Sequence, residues 1–167
     1  NTLADYACSC YDRGHQAPAA DAKYSPTVMS ESFFMSNMAP QVGVGFNRGA
    51  WKYLEETVRS WILCGGHTRL YVITGPIYGD SAKTLGASKV AVPSAFYKIV
   101  YDPDSTRALA FVLPNAKIGS RIADLQAYVK PIDYVETETG LNFFANWPNR
   151  QQFQLKSRKN TLYFAVE

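Results

Sequence analysis

The chain has 167 residues, 47% hydrophobic and 19% charged, with 11 Tyr, 9 Phe and 3 Trp, enough to bury roughly 70% of its unfolded surface around one core. That composition excludes disordered, collagen-like and coiled-coil classes. The 17 Lys and Arg outnumber 14 Asp and Glu to give a net charge of +3, which suits a polyanionic partner without requiring one.

No run of about 18 apolar residues occurs, so neither a membrane-spanning helix nor a membrane partner is expected. With no internal repeat or linker, residues 1–167 read as a single domain. The N-terminus lacks an initiator Met, a charged segment and an apolar segment, so Asn1 reads as the start of a processed chain or an excised fragment, compatible with export. Cys8, Cys10 and Cys64 match no zinc pattern. Cys8 and Cys10 are too close in an extended segment to bridge, so a bond from one of them to Cys64 is the better geometry if any disulfide forms.

In chain order, residues through about Gln16 read as extended and end in a turn at Gly14. Ala17 to Val44, interrupted by Pro18, Pro26 and Pro40, reads as a long ordered loop with at most a short helix or strand. A helix is predicted from Asn47 to about Leu63, because Trp51, Leu54, Val58, Trp61 and Ile62 share one face and Gly65-Gly66 closes it. Arg69 to Thr74 is predicted as a strand stopped by Gly75-Pro76. Ala95–Tyr101 and Ala108–Leu113 form a predicted hairpin about Asp102-Pro-Asp-Ser105. Pro131 and Gly140 bracket a short helix from Ile132 to Thr139, after which Phe143 and Phe144 pack back.

Two groups of residues can carry chemistry. In Asp12-Arg-Gly-His15, a guanidinium and an imidazole flank a sharp turn and can face one anionic ligand, although a lone His beside Arg is more often structural. On a continuous helix Asn47, Glu55 and Arg59 spiral slowly along one polar side, where an amide oxygen and a carboxylate suit Mg²⁺. On spacing alone, an Asn47 cap and a solvated Glu55–Arg59 pair account for the same residues.

Tyr11-Asp-Arg-Gly-His-Gln-Ala-Pro18, Ser36-Asn37, Asn47-Arg-Gly-Ala-Trp51, Leu54-Glu55 and Thr74-Gly-Pro76, with later blocks at Val92–Lys98, Ala110–Asn115 and Asp133–Gly140, resemble the DNA/RNA non-specific endonuclease family. The resemblance implies a ββα-metal, His-Me finger nuclease of α+β class, with a central antiparallel sheet flanked by helices. It implies that His15 is the general base, that Asn47 binds Mg²⁺ (or Mn²⁺ in its place), and that Glu55 orders metal-bound water. Asn37, Arg13 and Arg59 match positions that shape the site or meet phosphate. The implied enzyme is a hydrolase that cuts DNA and RNA, leaving 5′-phosphate ends, and its activity is expected to fall below about pH 6.5 as His15 protonates.

The chain departs from the family pattern at its start, where only 11 residues precede Asp12 and a family segment with a further Arg is expected to be missing or supplied by a second polypeptide. Cys10 replaces a Gly common in the family, which hints at a local disulfide. An alternative reading is a nucleic-acid-binding or interaction module with the nuclease fold and impaired catalysis, against which intact His15, Asn47 and Glu55 argue. Secretion, a periplasmic location or delivery as a toxin is expected, with an inhibitor or immunity protein as partner. His67 reads as a surface loop residue, and Arg150, Lys156, Arg158 and Lys159 as either a solvated surface or a DNA contact.

Overall fold

The computed structural model describes residues 1–119 and 121–157. After a 3-10 turn at Leu3–Tyr6 come β1 (Tyr11–His15), α1 (Pro26–Glu31) and β2 (Met38–Val42). An irregular wide turn at Gly43–Trp51 leads into α2 (Lys52–Leu63). β3 (Tyr71–Ile77), a small hairpin of β4 (Thr84–Leu85) and β5 (Val90–Ala91), and the long strands β6 (Ala95–Asp102) and β7 (Arg107–Pro114) follow. The remaining elements are α3 (Ile122–Gln126), β8 (Val129–Lys130), α4 (Ile132–Thr139) and α5 (Asn149–Lys156).

The central sheet is antiparallel throughout, in the order β3-β6-β7-β8. Period-2 alternation divides its side chains between two cores. Phe96 and Val100 of β6 with Leu109, Phe111 and Leu113 of β7 meet Trp51, Leu54, Val58 and Trp61 from α2 and its leading turn. On the opposite face Tyr97, Ile99, Tyr101, Ala108 and Ala110 meet Ile132 and Val135 of α4, Leu155 of α5, and Phe143. Burying each large apolar side chain contributes about 1.5–3 kcal/mol, so the sheet holds helices on both sides. This is the expected α+β architecture. The predicted hairpin is present, and α4 has its predicted bounds, with Gly140 taking φ +70 as a left-handed C-cap.

Several local expectations are corrected. Residues 1–10 are not one extended run, because Cys8 and Cys10 adopt φ of 55° and 64° and break the alternation. Cys10 thus occupies a left-handed position that a Gly would adopt without strain. All three cysteines are free and exposed, so neither the Cys64 bridge nor a local disulfide forms. Within the predicted loop, Pro26 opens α1 at its first turn, where no N–H is needed, and Ser25 Oγ accepts from the Val28 N–H. Pro40 sits within β2, opposite Arg13. The regular part of α2 begins at Lys52 rather than Asn47, because Val44, Gly45 and Gly49 take non-helical angles. β3 continues through Gly75-Pro76 to Ile77, since on an edge strand Pro can turn its missing donor away from the sheet.

β1 and β2 form a separate antiparallel ribbon with His15 opposite Met38 and Gly14 opposite Ala39. A Cβ on Gly14 would lie 2.0 Å from Cδ of Gln41, which is 0% exposed. Gly14→Ala is therefore expected to destabilise the fold by about 1–3 kcal/mol, read as a lowered Tm. An unchanged Tm would mean that Gln41 swings aside without cost.

Candidate active site

Alternation along β1 sends Arg13 and His15 to one face and Asp12 and Gly14 to the other. The Asp12 carboxylate accepts from Asn47 Nδ2 at 2.8 Å and from Arg48 Nε and Nη2 at 2.8 and 3.1 Å. Asn47 is thus not a helix cap. Its amide is anchored to β1 through the nitrogen, which leaves Oδ1 as a hard acceptor. Asn47, Asp12, Arg13 and Tyr11 line an open, polar groove of ≈ 490 Å³.

His15 is half-buried, with Phe33 packed edge-on at 4.7 Å between ring centroids. Its Nε2 is buried and makes no hydrogen bond with a described residue. Burial, and then the Arg13 charge, lower the imidazole's pKa below its usual 6.5, which favours the neutral ring.

Asn37 fastens the segment that follows His15. Its Nδ2 donates to the carbonyls of Ala17 (2.9 Å) and Ser32 (2.8 Å), and its Oδ1 accepts from the Ala17 N–H at 2.9 Å. Its backbone carbonyl also accepts from the Gln16 N–H at 2.9 Å. With its side-chain oxygen and nitrogen both bonded to the chain, Asn37 shapes the loop beside the imidazole.

Arg59 pairs with Asp21 rather than Glu55, at 2.8 Å. Glu55, one turn beyond Trp51 on α2, is half-buried, and burial raises its carboxyl to about 7. Lys98 and then Arg59 oppose that rise, while Asp21 and Glu56 add to it. The predicted continuous spiral from Asn47 to Arg59 is broken at Gly49. Instead, Arg13, Asn47 and Asp12 gather at the start of β1, whereas Glu55, Arg59 and Asp21 form a second group with Lys98. His15 ends β1, and the Asn37 clip holds the residues that follow it.

The sequence reading missed Arg48, the bidentate partner of Asp12, and Lys98, a charge at 1% exposure flanked by Phe96 and Val100 on the α2-facing side of β6. The available signal for Lys98 was its place between Phe96 and Val100. His67 is no free surface residue, since its Nδ1 lies 3.1 Å from the buried Asp102 carboxylate. Lys156 is buried and bonded to Glu136, Asn142 and Gln152, which removes it as a nucleic-acid contact. Arg150 is exposed, and Arg158 and Lys159 lie outside the described residues.

Comparison with known proteins bears directly on this arrangement. Residues 1–150 match the DNA/RNA non-specific endonuclease family, and the chain belongs to it. Nuclease 1, mitochondrial, of Schizosaccharomyces pombe is 38% identical over 93% of this chain and 52% of its own length. Endonuclease G, mitochondrial, of Homo sapiens is 35% identical over 87% of this chain and 52% of its own length. A chain in the crystal structure of an EndoG/EndoGI complex is 36% identical with a TM-score of 0.80, covering 90% of this chain and 66% of that one. The chain spans about half the length of these curated relatives. The expectation of secretion, a periplasmic location or toxin delivery is overturned by the mitochondrial nucleases among the relatives.

Proposed function

We propose that this chain is the catalytic core of a mitochondrial, metal-dependent endonuclease that hydrolyses DNA and RNA to 5′-phosphate ends, with His15 as general base. The observation that carries this reading is a half-buried imidazole whose buried Nε2 has no hydrogen bond to a described residue and whose surroundings favour its neutral form. His15 Nε2 takes a proton from water as the water oxygen bonds to phosphorus. The P–O3′ bond then breaks, and the 3′ oxygen leaves with a proton from solvent.

The donor set suits Mg²⁺, with Mn²⁺ as a substitute of the same ligand chemistry. Asn47 offers one hard oxygen at an open groove, and the described residues hold no cluster of three or more His, Cys, Asp or Glu that would form an all-protein cage. When bound, the ion supplies positive charge for the phosphate oxygens in the transition state. Arg13 faces the same groove and meets phosphate, Glu55 orients water as a carboxylate, and Arg59 holds the loop bearing Asp21. A site that reads phosphate rather than base edges cuts with weak sequence preference, and its binding weakens steeply with salt.

The relatives' greater length supports a second reading, in which this portion binds nucleic acid but needs further chain to cut it. Plasmid nicking and RNA degradation with Mg²⁺, and with EDTA, separate the two. Cleavage of both substrates that EDTA abolishes is the expected result, binding without cleavage would favour the module, and cleavage untouched by EDTA would refute the metal. The inhibitor complex of the structural neighbour supports a protein inhibitor as a partner of this site.

A further inference from the structure

β6 points Phe96, Lys98 and Val100 toward α2, and the apolar pair is 0% exposed while Lys98 is 1% exposed. A buried ammonium is costly unless compensated. Lys98 Nζ donates to Oγ1 of Thr74, its register partner on β3, at 2.9 Å, and lies 4.8 Å from the centroid of the Trp51 ring. Neither partner carries a charge, and no carboxylate among the described residues forms an ion pair with it within 4.0 Å. Glu55 stands one helical turn beyond Trp51, on the same side of α2. The hydroxyl and the indole therefore fix the cation against Trp51, the residue one helical turn before Glu55.

We propose that Lys98 is a positioning residue of the hydrolytic site, a buried counter-charge held by Thr74 and Trp51 that keeps the Glu55 carboxylate ionised. The proposal rests on the nuclease reading for its effect on rate, but not for the coupling itself. Lys98 is the leading opposing charge on Glu55, and Glu55 is the leading opposing charge on Lys98. Burial lowers Lys98 to about 8, opposed by Glu55 and Asp21 and reinforced by Arg59. Burial raises Glu55 to about 7, opposed by Lys98 and Arg59 and reinforced by Asp21 and Glu56. The two groups are thus charged together mainly between those values. Arg59 is a weaker counter-charge because Asp21 engages it directly at 2.8 Å.

Carbon-13 carboxyl and nitrogen-15 ammonium titrations of the metal-free protein, observed by NMR, test the coupling without reference to activity. In Lys98→Met the Glu55 midpoint is expected to rise by about 1 pH unit or more. In Glu55→Gln the Lys98 midpoint is expected to fall by a matching amount, since coupling between two sites is reciprocal. With Mg²⁺ and nucleic acid, Lys98→Met should shift the acid limb of kcat/KM upward, and Lys98→Arg should largely restore it. Should Lys98→Met fail to fold, Glu55→Gln decides alone, because it changes a half-exposed side chain. A Lys98 midpoint that moves less than about 0.2 units in Glu55→Gln overturns the proposal. Normal coupling in a chain that cuts nothing sinks the nuclease reading instead.

Discussion

His15→Ala is expected to lower kcat by about 10²- to 10⁴-fold, the usual contribution of a positioned general base, with little change in KM. The ring packs against Phe33, and its Nε2 makes no hydrogen bond with a described residue, so its loss removes one aromatic contact and no polar anchor among those residues. That contact is worth about 1 kcal/mol, or roughly 2–4 °C in Tm for a chain of this size. Circular dichroism should therefore report a folded variant while initial-rate assays report a nearly inactive one. A fall of less than tenfold would transfer proton removal to another group.

The pH dependence provides a further check on His15. In the proposed mechanism the base works as neutral imidazole, and burial, which lowers the His15 pKa from its ordinary 6.5, favours that form. In the same proposal Glu55 works as an anion, and burial pushes its carboxyl up to about 7. The acid limb of the proposed reaction is therefore expected to begin with protonation of Glu55 and to steepen as His15 follows, which a pH profile of kcat/KM measures. The sequence by itself leads instead to a limb set by His15 alone at about 6.5, and the measured profile distinguishes the two.

Asn47→Ala is expected to weaken Mg²⁺ binding by at least about 100-fold, because even outer-shell changes at metal sites cost 10- to 100-fold. Calorimetric titration of the metal without nucleic acid measures this directly. The fold should survive, since Asp12 keeps its two bonds to Arg48 and no helix loses a cap. Tm within a few degrees of wild type, with rate lost and partly recovered at high Mg²⁺, is the expected pattern. Unchanged metal affinity with a large drop in Tm would make Asn47 a purely structural link between β1 and the turn before α2.

How far the sequence could be read depended on the distance over which each feature is decided. The β6–β7 hairpin and α4 were legible because strand alternation, turn residues and the Pro131 and Gly140 brackets act within a few residues. The apolar face of α2 was legible for the same reason, but its start was not. Gly45 and Gly49 turn the chain before Lys52, and Asn47 is spent on Asp12, 35 residues away, rather than on capping. Cys64 forms no bridge to Cys8 or Cys10, all three thiols being free and exposed, and the left-handed angles of Cys8 and Cys10 depart from the strand the local pattern suggested. His67 and Lys156 looked solvated because their partners, Asp102 and Glu136, lie 35 and 20 residues away in the chain.

The sequence by itself determined the α+β class, the alternation that builds two cores about one sheet, and, through its motifs, the family and the residues to examine. Tertiary structure alone decided what those residues touch. It joined Asn47 and Arg48 to Asp12, diverted Arg59 from Glu55 to Asp21, and set Lys98 against the Trp51 ring, one turn before Glu55. Local patterns report preferences of backbone and surface over a few residues, whereas charges, hydrogen bonds and desolvation depend on which distant segments the packed core brings together.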